Sequence, residues 1–273
     1  MKAKTKHYLS YLAIAMIIAT IIILLIRKDI IKGHPRDYAE IEASGTIRVV
    51  TEYNSLSYFA DGDSILGFHY ELIQAFAKAK GLKVDIIPEM SFEKRMKGLN
   101  NGTFDLIGYN LPVTTELKDD ILLTTPIVLN KQILVQRKSS DKDSLFISTQ
   151  LNLARRTLHV IKGSPSILRI HNLANEIGDT IYIKEVEKYA AEQLMAMVAH
   201  ADIDYAVCDE SLAKACIRSF PNLDISTDIS FTQFYSWGVS KQSPVLLDSL
   251  NSWLNAFKQT KDYQRIYQRY YKD

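Results

Sequence analysis

Little in this chain invites metal, redox or nucleotide chemistry. His34, His69, His159, His171 and His200 have no metal-ligand spacing, and no H-E-x-x-H motif, paired cysteines or glycine-rich phosphate loop occurs. No cofactor and no metal are therefore expected. The two cysteines, Cys208 and Cys216, fall at a strand end and in the helix after it, so a disulfide between them would be local. Buried free thiols are the expectation, because cysteine is among the most buried residue types. A concentrated basic face is missing as well. The net charge of +2 is misleading: residues 1–33 hold six basic groups and one acid, leaving 27 basic against 30 acidic in the body. Nucleic acid is thus not an expected partner. No repeat or low-complexity segment stands out, and 47% hydrophobic with 23% charged residues is ordinary for a globular protein.

One long apolar run is present. Tyr8 to Ile26 is uncharged throughout, and at about 1.5 Å per residue it approaches the roughly 30 Å hydrocarbon thickness of a bilayer. A removable signal peptide would have a shorter apolar core and a small-residue cleavage site, and neither that site nor a cysteine for lipidation follows. Residues 1–33 therefore read as an uncleaved signal anchor with its flanks. Lys2, Lys4 and Lys6 favour a cytoplasmic amino terminus, although Arg27, Lys28 and Lys32 weaken the bias. The expectation is a single-pass protein of the inner membrane with its body in the periplasm or outside the cell.

The body alternates strand and helix. Ile47 to Thr51 reads as a strand, Gly67-Phe68 opens a helix through Leu72, Ile73 and Phe76, Val84 to Ile87 is a strand, Phe92 to Leu99 a helix, and Asp105 to Tyr109 the next strand. Such alternation predicts a parallel α/β sheet whose ligands lie beyond the carboxyl ends of its strands, here residues 53–58 and 109–115. The strand Gln132 to Gln136 leads into the polar stretch Arg137 to Ser144, the expected crossover. A second alternation follows: strand Thr157 to Ile161, a helix through Ile167, Ile170 and Leu173, strand Thr180 to Ile183, helix Tyr189 to Ala201, strand Tyr205 to Cys208 and a helix from Ser211. Tyr235 to Val239 would return the chain to the first unit. There Leu246, Leu250, Trp253, Leu254 and Phe257 recur at helical spacing, which makes Trp253 a core residue. The division is 45–136 plus 236–273 for one lobe and 137–235 for the other.

Several linear motifs carry a family resemblance. They are Gly45-Thr46-Ile47-Arg48-Val49, Leu56-Ser57-Tyr58, Gly67 to Leu72, Asn101-Gly102-Thr103-Phe104-Asp105-Leu106, and Thr114-Thr115-Glu116 leading to Thr124-Thr125-Pro126. In this order the chain resembles the type 2 periplasmic solute-binding proteins that take amino acids, in particular the solute-binding half of the membrane-bound lytic transglycosylase F group, over residues 45–270. The resemblance implies two α/β lobes joined by two hinge strands and closing about a ligand. The fold class expected is thus a two-lobed, periplasmic-binding-protein-like type 2 fold behind one N-terminal transmembrane helix.

The resemblance also implies site residues. In amino-acid-binding members the segment equivalent to Tyr109 to Leu117 supplies hydroxyls, among them Thr114, and ends in an arginine that forks onto the ligand's carboxylate. Here that position is Leu117, which argues against free α-amino acids as ligands. Lys118 is adjacent but points about 100° away on a helix, and it and Arg95 read as solvated surface. Asp209 matches the position that accepts the ligand's ammonium group; read from its own surroundings, it equally suits a cap for the helix from Ser211. Ser164 would hold an anion with the free N–H groups of its helix, or would cap that helix. Tyr53, Tyr58 and Tyr109, with Asn54 and Asn110, suggest a neutral polar ligand such as a peptide, an amino-acid derivative or a cell-wall fragment.

The resulting expectation is a membrane-anchored, extracytoplasmic protein that captures or senses a small polar ligand. Its rivals are the binding component of an amino-acid importer, with a permease as partner, and an enzyme, either a transglycosylase or a dehydratase using Asp209 or Glu52. In the transglycosylase group the catalytic domain follows the binding half, whereas this sequence ends at Asp273, so no peptidoglycan cleavage is expected. Glu210-Ser211 reads as part of a helix cap.

Overall fold

The computed structural model describes residues 33–139, 145–187 and 190–271. The apolar run Tyr8 to Ile26 lies outside them, and among the described residues no helix is long and apolar enough to cross a membrane. The described chain begins with α1 (Tyr38–Ser44), β1 (Thr46–Thr51), the hairpin β2 (Phe59–Asp61) and β3 (Ser64–Leu66), α2 (Phe68–Lys80), β4 (Lys83–Pro88), α3 (Phe92–Asn100) and β5 (Leu106–Pro112). There follow α4 (Thr115–Asp120), β6 (Leu122–Leu123), β7 (Val128–Asn130), β8 (Gln132–Arg137), β9 (Thr157–Ile161), α5 (Ser166–Ile177), β10 (Tyr182–Val186) and α6 (Ala191–Ala199). The chain closes with β11 (Ala206–Asp209), α7 (Glu210–Cys216), β12 (Leu223–Asp224), β13 (Gln233–Val239), α8 (Pro244–Phe257) and α9 (Lys261–Tyr271).

Two mixed sheets result. The first has the order β4-β1-β5-β13-β6, with β7 on β13, and the second the order β10-β9-β11-β8-β12. The parallel pairing expected from the alternation holds for β4-β1-β5 and β10-β9-β11. It fails where a strand arrives from the other sheet, since β13 runs antiparallel to β5 and β8 antiparallel to β11. Those two strands enter over short links with no helical crossover to turn them parallel. Sheet pairing also moves the first passage to Lys131, ahead of the polar stretch after Arg137. Between the apolar triplets Ile127-Val128-Leu129 and Ile133-Leu134-Val135 stand the polar residues Asn130-Lys131-Gln132, and Lys131 alone links β7 to β8. The strand expected at Thr180 to Ile183 pairs only from Tyr182, opposite Thr157.

The core sits on the faces of both sheets. Helix α2 buries Phe68, His69, Leu72, Ile73, Phe76 and Ala77, the stripe its 3.6-residue period predicts. Trp253 of α8 packs on Phe76 and Phe257, as its spacing implies. Gly67 fixes where the loop after β1 lies: its φ is 139°, and a Cβ there would stand 2.3 Å from the Ser57 carbonyl oxygen. Only glycine lets α2 start so close to that loop. Asp105 joins Arg36 and Arg48 to the other end of the sheet. Burial works to raise the Asp105 pKa, but the two guanidinium partners outweigh it and hold the carboxyl below its usual range.

Candidate functional site

A cavity of about 80 Å³ lies where the carboxyl ends of β1, β5, β9 and β11 converge. Both sheets contribute to it. Glu52 follows β1, Tyr109 and Asn110 belong to β5, Gln132 opens β8, Ser164 precedes α5 and Asp209 ends β11. This is the crevice at strand ends that α/β sheets offer to ligands. Phe92, Ile161, Val207 and Leu212 supply apolar wall.

On the first wall stands Arg95 of α3, 1% exposed. Its Nη2 donates to Glu52 Oε1 at 2.6 Å and to the Tyr109 hydroxyl at 3.1 Å, and its Nη1 donates to the Glu89 carbonyl at 2.6 Å. The guanidinium also lies 4.5 Å over the Tyr109 ring. Burial disfavours its charge, yet Tyr109 and Glu52 more than offset this and raise its pKa. The sequence reading of Arg95 as solvated surface is thus overturned. The missed signal is its periodicity: Phe92, Arg95, Met96 and Leu99 fall at i, i+3, i+4 and i+7, so Arg95 belongs to the buried stripe of α3. A charge on such a stripe needs a partner, and Glu52 at the end of β1 is placed to be one.

Asp209 faces the cavity from the second sheet. It occupies the N-cap position of α7, but its side chain makes no capping bond. Its Oδ1 instead accepts from the Tyr235 hydroxyl at 2.9 Å. Burial raises its pKa to about 7, the Glu52 charge pushes the same way, and the Tyr235 bond opposes both. The capping role left open for Ser164 is also overturned, because Pro165 takes the N-cap position of α5 and no side chain caps it. The Ser164 Oγ is buried without a partner, as are Gln132 Oε1 and Arg95 Nε.

The eight residues singled out from sequence divide evenly. Tyr109, Asn110, Ser164 and Asp209 line the cavity. Tyr53, Asn54, Tyr58 and Thr114 do not. The Asn54 Oδ1 accepts from Leu56 N at 3.1 Å and Ser57 N at 2.6 Å, which consumes it in shaping its own turn. The Thr114 hydroxyl caps α4 through Leu117 N at 3.3 Å. Tyr53 is 45% exposed and sits edge-on to Tyr58 at 6.3 Å. Leu117 is buried with Leu99, Ile107, Leu111 and Ile121 in an apolar cluster and does not itself line the cavity, and Lys118 is exposed.

Neighbouring groups complete the picture. The Ser55 amide donates to Glu192 Oε1 of α6 at 2.6 Å, tying the loop after β1 to the second lobe. Cys208 and Cys216 are free and buried, and the Cys216 thiol donates to the same Glu192 oxygen. Glu210 pairs with Lys214 at 3.2 Å, and the Ser211 hydroxyl accepts from Asn130 Nδ2 at 2.8 Å, both roles belonging to the start of α7. Among the described residues no three His, Cys, Asp or Glu side chains converge as a metal site. The site sets charged and hydrogen-bonding groups beside an apolar wall.

Known proteins share this architecture. The Streptococcus pneumoniae substrate-binding protein of an ABC uptake transporter, solved with histidine, superposes with a TM-score of 0.76 at 20% identity, covering 86% of this chain and 96% of that one. An ancestral arginine-binding protein bound to glutamine gives 0.73 at 25% identity, covering 84% and 99%. In sequence, membrane-bound lytic murein transglycosylase F of Desulfosudis oleivorans is 28% identical over 232 residues, 85% of this chain and 50% of the relative. The Photobacterium profundum counterpart is 26% identical over 239 residues, 86% and 45%. The chain thus spans about half the length of these relatives. The profile of the bacterial extracellular solute-binding proteins, family 3, matches residues 46–273, and the chain belongs to that family.

Proposed function

We propose that this chain is a membrane-anchored, extracytoplasmic binding protein that captures a small polar ligand between its two sheets and closes over it. The observation that carries the reading is the cavity itself. Glu52–Arg95 on one wall and Asp209 on the other stand at strand ends of two sheets joined only by short links. Opening the lobes exposes these groups to solvent. Closing them about a ligand replaces water with fixed partners and seals the loop at Ser55 against Glu192. The family match and the ligand-bound neighbours support binding over catalysis. For the anchor, the support is the uncharged run Tyr8 to Ile26.

A thermal-shift screen of the full chain in detergent against small polar metabolites tests the capture. Ligand at about 100 times its Kd adds about 2.7 kcal/mol to the folded state, several degrees in Tm for a protein of this size. A hit should compact the protein in X-ray scattering and weaken at least tenfold in Asp209→Ala. Absence of any stabilising compound, or hits indifferent to that substitution, would refute the capture. The anchor predicts full-length chain in the membrane fraction after carbonate washing, with its body open to external protease. A shortened, soluble mature protein would refute it.

A further inference from the structure

The charges around the cavity do not balance for a zwitterion. Arg95 is the one cation among the described residues that line it, and its Nη2 already meets Glu52 at 2.6 Å. Asp209 remains, with a tyrosine hydroxyl but no cation as partner. A ligand ammonium on Asp209 would neutralise the site. A carboxylate on the same ligand would enter a space holding two acidic side chains and a guanidinium already committed, and it would lose its water for no free countercharge.

The unsatisfied atoms agree. Buried polar groups in folded proteins almost always have partners, so an orphan facing a cavity marks where a ligand or water belongs. Arg95 Nε, Gln132 Oε1 and Ser164 Oγ are buried without a partner, and all three residues line this cavity. The first offers one N–H, the second an amide oxygen that accepts, and the third a hydroxyl. Neutral carbonyl, amide and hydroxyl groups satisfy that set. A fourth lining residue, Asn110, also has an Oδ1 without a partner within hydrogen-bond distance, and this side chain faces His69.

Resting on the capture proposed above, we infer that the cleft selects a small monocation without a carboxylate, an ammonium compound bearing a neutral amide or hydroxyl. Its cation sits on Asp209 and its neutral polar group meets the free donors and acceptors of Arg95, Gln132 and Ser164. Glu52 is then the residue that sets specificity, because it cancels the charge with which Arg95 would otherwise attract an anion.

Calorimetry on the full chain with glycine, L-alanine and L-serine, each against its C-terminal amide, tests this directly. A charge-assisted hydrogen bond without counterpart corresponds to about 10- to 150-fold in affinity. At least one amide should bind, and at least tenfold more tightly than its parent acid. N-acetyl-L-alaninamide, which lacks the cation, should not bind. Asp209→Asn should weaken the amide at least tenfold. Glu52→Gln should move the acid-to-amide ratio at least tenfold toward the acid by freeing Arg95. An acid that binds as well as its amide in the unaltered protein overturns the inference, as does failure of every amide. The capture reading is judged separately. A carboxylate ligand from the broad screen that compacts the protein leaves capture standing and sinks the selectivity, whereas silence in both panels sinks both.

Discussion

Glu52→Gln should destabilise the protein by about 3 to 5 kcal/mol, more than Arg95→Met does. Both changes break the same 2.6 Å ion pair, but they strand different partners. With Glu52 neutral, a guanidinium whose side chain is 1% exposed keeps its full charge, since arginine does not deprotonate in proteins. A buried charge deprived of its partner costs about 3 to 5 kcal/mol, and the Tyr109 ring and the Glu89 carbonyl hold the loss toward the lower figure. With Arg95 removed, the stranded group is Glu52, whose side chain is 20% exposed and can take up water. The loss is then nearer the 1.5 to 3 kcal/mol of a charge-assisted hydrogen bond. The double variant should lie close to Arg95→Met alone, because the second change removes the charge that the first left bare. Urea unfolding of the four proteins measures the cycle. A Glu52→Gln loss no larger than that of Arg95→Met would mean that Arg95 does not depend on Glu52 for its burial.

Much of the architecture was legible because period and punctuation agreed. The stripe of α2, its start at Gly67, and the apolar runs of β1 and β5 each point to one element. The passage between sheets was not legible, since the polar residues Asn130-Lys131-Gln132 between β7 and β8 mark a break without its direction, and sheet membership depends on pairing with distant strands. Residue type likewise does not reveal direction. Asn54 and Thr114 carry suitable groups and stand near the right strand ends, yet local backbone N–H groups claim their oxygens. Asp209 and Ser164 had two local readings each, and only the placement of Tyr235 and Pro165 decides between them. Arg95 is charged yet lies on the buried stripe of α3, so its place on the helix decides its burial and its residue type does not.

The unliganded protein should carry an electrostatic strain at Asp209 that appears as a pH-dependent difference from Asp209→Asn. Burial raises the carboxyl's pKa in the folded protein to about 7, against an ordinary value of 3.8. Between these values the folded protein binds the proton that the unfolded chain has released. Stability from this group is therefore fully present below about pH 4 and lost as pH rises through 7, by up to about 1.4 kcal/mol per pH unit. Asparagine keeps an oxygen to accept the Tyr235 hydroxyl and never charges. The variant should match the parent near pH 4 and exceed it by about 2 to 4 kcal/mol at pH 8, the lower figure allowing for the access Asp209 keeps to the cavity. His69 masks this in the parent. Burial lowers its pKa from 6.5 to about 3, so its contribution is present above 6.5 and lost as pH falls toward 3. The two slopes oppose each other between about pH 4 and 6.5, leaving the parent nearly flat there and the variant rising with pH. Other titrating groups cancel in the difference. A cation bound at Asp209 removes the strain, so the stabilising effect of a cationic ligand should grow as pH passes through 7. Thermal unfolding of both proteins from pH 4 to 8 measures the difference, and a constant offset across that range would show that Asp209 carries no strain for a ligand to relieve.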